Sequence, residues 1–360
     1  MIKRIGLPLL APLVAVVIAV AVTSLVILIS GSQSGLGSFW QVMLSKPDNG
    51  TIVNIINLAA MLYLSATASA IGFRMGLFNI GVEGQYRIGG YCAAVFAGAA
   101  LLPGPLNVIA TVLVAMLAGA AWAGIAAVLR VTRGVSEVIA TLMLNAIAPI
   151  GISYLVNKYG IQGGNTINTK AISSSSEVNG WQIFGVADGK VWGLGVLAIV
   201  VGLAFWIVLN RTRFGFDLRA SGKSPAAAAA SGVNPKRMIV IAMLMSGAVA
   251  GLIWMPEFFG SAYSYGTTFD AGLGFTGIAV ALLGRNEPLG MAFGAVLFAW
   301  LSSQSNALGL GTDISPSIVE VTEGVVVLAV VIAYELVRRW RLRIEQDALA
   351  AAPATQEVTA

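Results

Sequence analysis

NRTRFGFDLRASGKSPAAAAASGVNPKR, residues 210–237, is a polar stretch between two long apolar blocks. Two basic clusters, Arg211, Arg213, Arg219 and Lys223 before it and Lys236 and Arg237 after it, flank the run SPAAAAASG. That run carries helix signals at both ends. Ser224 suits an N-cap, Pro225 the first helical position, residues 226–230 are alanines, the strongest helix formers, and Gly232 stands where a left-handed residue closes a helix. A helix of about two turns is marginal in water, so this one is expected to persist by docking. With only alanine on its sides it makes a small, smooth knob that fits a groove on a partner. The plainer alternative is a capped surface loop joining two spans.

Composition sets the class of the blocks on either side. With 57% hydrophobic and 10% charged residues, the chain is far more apolar than a soluble domain and reads as a polytopic integral membrane protein. One cysteine and no histidine remove a disulfide framework, make zinc and haem poor fits, and exclude histidine-dependent catalytic triads. No catalytic residue, metal ligand or cofactor site is therefore expected.

Outward from the polar stretch, apolar segments fall at 7–29, 52–72, 88–102, 106–129, 135–156, 191–209, 238–258, 272–284, 289–304 and 317–337. They predict an all-α transmembrane bundle of about ten spans over residues 1–343, followed by an Ala-rich tail, 344–360, expected to be disordered. The first segment is too long for a signal-peptide core and fits an uncleaved span. The longest polar stretch, 157–190, is rich in Asn, Ser and Gly.

Basic residues orient the bundle. With both termini on the cytoplasmic side, 17 of the 21 lysines and arginines collect there, among them Arg74, Arg87, Arg130, Arg133, Arg285 and the six of residues 210–237. Only Lys46, Lys158, Lys170 and Lys190 fall outside. Segments 88–102 and 272–284 are short for a ~30 Å hydrocarbon core at about 1.5 Å per residue, so broken or re-entrant helices are expected there. Unwound backbone at membrane depth has to be buried or to line a cavity. Two stretches qualify as a transport pathway: GLFNIGVEGQ (76–85), with Asn79, Glu83 and Gln85, and GLGFTGIAVALLGRNEPLG (272–290), which includes Phe275. Asn145 inside the fifth segment adds an amide. The pairs Gly247 with Gly251 and Gly290 with Gly294 read instead as close helix packing.

Two motif matches fail on context. Gly272, Gly274 and Gly277 spell G-x-G-x-x-G but open a membrane segment with no strand before them. Gly222-Lys223-Ser224 resembles the end of a phosphate-binding loop, yet Asp217 occupies the leading glycine position. If the chain works in an ATP-driven system, the ATPase has to be another subunit.

The stretch TRFGFDLRASGKSPAAAAASGVNPKR (212–237) followed by MSGAVAGL resembles the coupling segment of ABC importer permeases of the branched-chain amino acid and simple-sugar superfamily. RMGLFNIGVEGQYRIGGY, TRGVSEVIATLMLNAIA and GFTGIAVALLGRNEPLG resemble, more narrowly, its nucleoside and simple-sugar permease subgroup. The resemblance implies an all-helical permease in a bacterial plasma membrane with three kinds of partner: a cytoplasmic ATP-binding subunit, a second permease subunit, and a substrate-binding lipoprotein or periplasmic protein. It implies a cytoplasmic coupling helix at 224–231 within residues 210–237, with Arg219, Ala220, Gly222, Ser224, Pro225, Ala228 and Gly232 at the ATPase contact. A bulky charged residue at Ala228 is then expected to abolish ATP-dependent uptake without unfolding the protein. The implied substrate is a nucleoside, or a simple sugar such as ribose; nucleic acid is not an expected partner.

The residues alone leave the substrate open. Asn54, Asn57, Asn79 and Asn145 could meet base edges or sugar hydroxyls, and Trp254, Phe258, Phe259, Tyr263, Tyr265 and Phe269 could stack on a base or form an interfacial belt. A proton-coupled secondary transporter would want mid-membrane carboxylates or histidines and an inverted repeat. Here Glu257, Asp270, Asp313, Glu320 and Glu323 sit toward the outer ends of their spans. The outer loop 157–190, with Trp181, is a landing surface for the binding protein in this reading, testable by deleting residues 173–176.

Overall fold

The computed structural model describes residues 14, 17–29, 35–163, 165–266, 269–311, 315 and 317–350. The chain divides into two compact units, one of residues 46–303 and one of residues 1–45 with 304–360.

The larger unit is a helical bundle. Its long helices are α3 (Asn49–Arg74), α4 (Val82–Ala99), α5 (Gly104–Arg133), α6 (Glu137–Tyr159), α7 (Val196–Arg211) and α10 (Pro235–Gly251). Shorter helices are α8 (Arg213–Lys223), α9 (Pro225–Ala230), α11 (Met255–Glu257) and α12 (Leu273–Leu283); α13 (Pro288–Gly311) begins in this unit. Local chemistry sets many ends: Asp48 accepts from the Thr51 amide at 2.6 Å to open α3, and Gly134, at φ +69°, closes α5. In the smaller unit, α1 (Val17–Ile29) is tied to α2 (Gly35–Met43) by a 3.1 Å bond from Trp40 Nε1 to Ser24 Oγ. Gln304 closes the end of α2 by donating to the Val42 and Ser45 carbonyls at 3.0 and 3.1 Å. The helix α14 (Ser317–Ala350) completes that unit.

Among the described residues, five stretches are helical, long and apolar enough to cross a membrane: Asn49–Arg74, Gly104–Arg133, Glu137–Tyr159, Gly193–Arg211 and Pro235–Ala262. The chain is thus a multi-pass helical membrane protein. Helices also occur within the other expected segments, with three corrections. The third begins at Val82, not near 88, so it is an unbroken helix of 18 residues whose first turns contain Glu83, Gln85 and Arg87. Arg87 is therefore inside a helix, not in a loop. The seventh tightens at residues 252–254, where the amides of Leu252, Ile253 and Met255 bond three residues back and Pro256 supplies no N–H for the helical ladder. The tenth runs through Ala350, so residues 344–350 are helical, in keeping with their Ala, Leu, Glu and Gln content; residues 351–360 lie outside the described residues.

The polar stretch 157–190 is folded. A hairpin pairs Ile161–Gly163 with Thr166–Asn168, and Trp181 bridges Val191. The amides of Thr169, Ile172 and Val178 donate to the carbonyls of Tyr265, Tyr263 and Phe259. Asn57 receives the Trp192 amide at 2.9 Å and donates to the Lys190 carbonyl at 3.0 Å. Asn57 is thus an anchor for this cap. Ser176 is buried and bonded to Asn107, and the Ser175 carbonyl packs on Gly104, so residues 173–176 hold the cap to α5 and their deletion would test folding, not docking.

At the centre, α10 packs on α5. A Cβ on Gly251 would lie 2.0 Å from the Ala115 carbonyl oxygen, and one on Gly247 2.4 Å from that of Gly119. Close backbone approach is the work of these glycines, as the sequence pattern indicates. Gly251→Ala is expected to destabilise the protein by about 1–3 kcal/mol. Gly151, in open space on α6, is the control: Gly151→Ala is expected to be neutral or mildly stabilising. Melting midpoints of the two variants in detergent check the contrast.

Candidate functional site

Two helices of the larger unit start in its interior, and a helix start presents amides with no partner in the helix. One is α12. Eleven residues make it about 16 Å long, half a ~30 Å hydrocarbon core. Its C-terminal end lies beside the end of α3, where Arg74 reaches Asn286 and Glu287; its N-terminus lies beside Ser65, partway along α3, with Leu273 and Gly274 buried and Asp270 and Ala271 exposed. The other is α4.

Glu83 closes the first gap. Its two carboxylate oxygens accept from the Gly272 and Gly274 amides, each at 2.9 Å, and Oε1 also takes the Arg87 guanidinium at 2.7 Å. The residue is only 3% exposed. A negative charge at a helix start is stabilised by the dipole as well as by the bonds. Glycine at 274 is required here, because a Cβ would lie 2.4 Å from Glu83 backbone atoms. Ser65 and Tyr86 fix the same end of α12 from outside, donating to the carbonyls of Leu273 and Asp270 at 2.8 and 2.5 Å.

Asn145 closes the second gap: Oδ1 accepts from the Gly84 amide at 2.8 Å, and Nδ2 donates to the Ile80 carbonyl at 2.8 Å. Asn79 and Gln85 pair their amides reciprocally at 3.0 Å in both directions. Asn79 also receives the Gly81 amide and donates to Ser246 Oγ at 2.8 Å, and Ser246 donates in turn to the Ala68 carbonyl at 2.6 Å. The knot thus ties α3, α4, α6 and α10.

Of the residues expected along a transport pathway, Asn79, Glu83, Gln85 and Asn145 are brought together, buried and hydrogen-bonded to the chain itself. Phe275, on α12, is 47% exposed. The aromatic set is not a surface belt: Trp254, Phe258 and Phe259 are fully buried, the Trp254 ring meets Phe258, Tyr265 and Phe269, Phe259 meets Phe258, and Tyr86 meets Phe269. Sequence reasoning missed Ser246 and Ser65. A lone serine among small residues in a membrane helix looks like packing until its partner is known.

At the basic stretch, Ser224 accepts from the Ala227 amide, Pro225 opens α9, and Gly232 has φ +84°. The flanking residues form a helix, α8, that the sequence hid behind Gly215 and Gly222, both poor helix formers; buried Leu218 and the Thr212 cap hold it. Residues 225–227, 229 and 230 are exposed, but Ala228 is 3% exposed and faces its own chain. Its side chain is therefore not on the exposed face of α9, and a charged residue there would disturb the fold. Arg219 donates to the Leu209 carbonyl, bracing the corner between α7 and α8. Ala220 accepts the Ser224 amide at its carbonyl, and Gly222 packs on Met75.

Because Glu83 meets two amides and a guanidinium, an amide in its place would turn an N–H toward donors and leave Arg87 unpaired. Glu83→Gln is expected to cost about 3–5 kcal/mol. In the double variant Glu83→Gln, Arg87→Met the loss should be smaller than the sum of the two single losses; chemical denaturation in detergent measures both.

The family described as "Branched-chain amino acid transport system / permease component" matches residues 51–334. The chain is 31% identical over 342 residues to the guanosine ABC transporter permease protein NupP of Bacillus subtilis, covering 93% of this chain and 96% of the relative. It is 28% identical to the nucleoside ABC transporter permease protein NupB of Lactococcus lactis, with coverages of 90% and 91%. Similarity to the glucose ABC transporter permease protein TsgB13 of Haloferax volcanii is 29%, with coverages of 82% and 80%. No solved structure matches the chain. With this match over most of its length, the chain belongs to the permease components of the branched-chain amino acid transport system family.

Proposed function

We propose that this chain is the membrane-spanning subunit of an ATP-driven importer that takes up nucleosides. The observation that carries the substrate is the similarity to guanosine and nucleoside permeases along nine-tenths or more of both chains. The chain itself hydrolyses no ATP in this reading. It works in a bacterial plasma membrane with a cytoplasmic ATP-binding subunit, a second, different permease subunit, and a substrate-binding lipoprotein or periplasmic protein. Ten spans over residues 1–343 with both termini cytoplasmic fit the charge bias, which survives removal of Arg87 from the cytoplasmic set. The contacts of Arg74 with Asn286 and of Gly222 with Met75 support that orientation, since they gather three of the basic loops at one end.

Residues 210–237 are the coupling loop. The exposed alanines of α9, next to Phe216 at 65% exposed, give the ATPase groove an apolar knob. The folded cap 157–190 offers the binding protein Trp181, Ile183 and Val186, which are 54%, 54% and 86% exposed. Asn79, Glu83, Gln85 and Asn145 position the pathway by holding α12 and α4; Phe275 is the pathway residue with a free face.

A second reading, uptake of a simple sugar by the same machinery, draws on the similarity to a glucose permease. Uptake of labelled guanosine into vesicles carrying the whole complex separates the two: it should require ATP, be blocked by excess nucleosides, and ignore ribose. Inhibition by ribose would move the substrate to sugars, and uptake driven by a proton gradient without ATP would overturn the importer itself. Ala227→Glu, on the exposed face of α9, should lower ATP-dependent guanosine uptake at least tenfold while the variant's melting midpoint in detergent stays at the wild-type value.

A further inference from the structure

We propose that residues 74–83 form a yoke that holds α12 at both of its ends and links it to the loop 210–237, so that displacement of that loop moves α12; this rests on the importer reading above. The two ends of the yoke are Arg74 and Glu83. Arg74 donates to the Asn286 carbonyl at 2.9 Å and pairs with Glu287 at 2.5 Å, on the turn that follows α12. Glu83 receives the amides of Gly272 and Gly274 at the start of α12. One ten-residue stretch thus grips the beginning and the end of an 11-residue helix.

Between those grips the stretch is fastened at nearly every step. The Leu77 amide donates to the Gly72 carbonyl at 3.0 Å and that of Phe78 to Glu137 at 3.4 Å. Asn79 is locked to Gln85 and Ser246, and the Ile80 carbonyl is taken by Asn145. The segment is therefore poorly suited to absorbing a push by local bending.

The push enters at Gly222. A Cβ at that position would lie 2.6 Å from the carbonyl carbon and oxygen of Met75, and one on Gly76 would lie 3.2 Å from the Gly222 oxygen. Backbone rests on backbone, with no rotamer between them to give way. At the far end of α12 the yoke grips a turn in which Arg285 and Asn286 both hold left-handed backbone, at φ 55° and 57°. Non-glycine residues keep that conformation only where their surroundings hold it, so the turn follows what grips it. What moves with α12 is Phe275 on its exposed face. A switch of this kind works only if the docked partner has different affinities for the two positions of the loop.

The test is the amount of substrate taken up per ATP hydrolysed, measured on the complete complex in proteoliposomes with labelled guanosine. A purely structural role would lower uptake and hydrolysis in proportion and leave that ratio alone. Gly222→Ala is expected to lower the ratio at least tenfold. Arg74→Gln, at a partly exposed pair that folding should tolerate, is expected to lower it at least threefold, and the exchange Arg74→Glu with Glu287→Arg should recover part of the loss. Ratios within twofold of wild type in both Gly222→Ala and Arg74→Gln, or a proportional fall of uptake and hydrolysis, would overturn the yoke. A wild-type complex without ATP-dependent uptake would instead remove the importer reading, and the yoke with it.

Discussion

A helix that begins inside an apolar interior has to find partners for its first amides, and two such beginnings govern this bundle. At α12 the partner is a carboxylate, at α4 a carboxamide, and the difference follows from the surroundings. Glu83 is met by Arg87, one turn along the same helix, and by the positive end of the α12 dipole. Asn145 has to serve one amide and one carbonyl, and only a side chain with both an acceptor and a donor can do that.

That arrangement makes the polar residues of 76–85 expensive to disturb and therefore good at defining one geometry. An unpaired polar group at membrane depth costs several kcal/mol, so each member of the knot is held by its neighbours' requirements as much as by its own bonds. Glycine completes the design by letting backbones meet: α10 on α5, α12 on Glu83, and Gly222 on Met75. Cavity-free contacts of this sort behave as rigid joints.

The helical class and the position of most helices were legible because the apolar runs are long and the basic residues uneven. Caps with a single strong residue were legible too: Ser224, Pro225 and Gly232 do what their chemistry indicates. What stayed hidden depends on partners far along the chain. Glu83 is 189 residues from Gly272 and Asn79 is 167 from Ser246, so no local pattern could show these bonds. Burial within a short helix was equally invisible, since five alanines in a row carry no periodicity; only the fold distinguishes Ala228 from its neighbours. The fold of the polar cap 157–190 was not legible because much of its order comes from bonds to Phe259, Tyr263 and Tyr265, far along the chain.

The two faces of α9 matter for what a partner can do to this protein. A knob that was exposed all round could be captured without anything inside responding. With Ala228 seated on the chain and the other alanines outward, a force on the outer face has to be carried inward, through the packing of α9 and α8. The Arg219 bond to the Leu209 carbonyl stiffens the corner behind them, which limits how far the loop can yield sideways against α7. One contact with the bundle is the glycine at 222 on the Met75 backbone, and backbone atoms meeting backbone atoms cannot rearrange by changing rotamer. A loop built this way passes on motion better than it absorbs it.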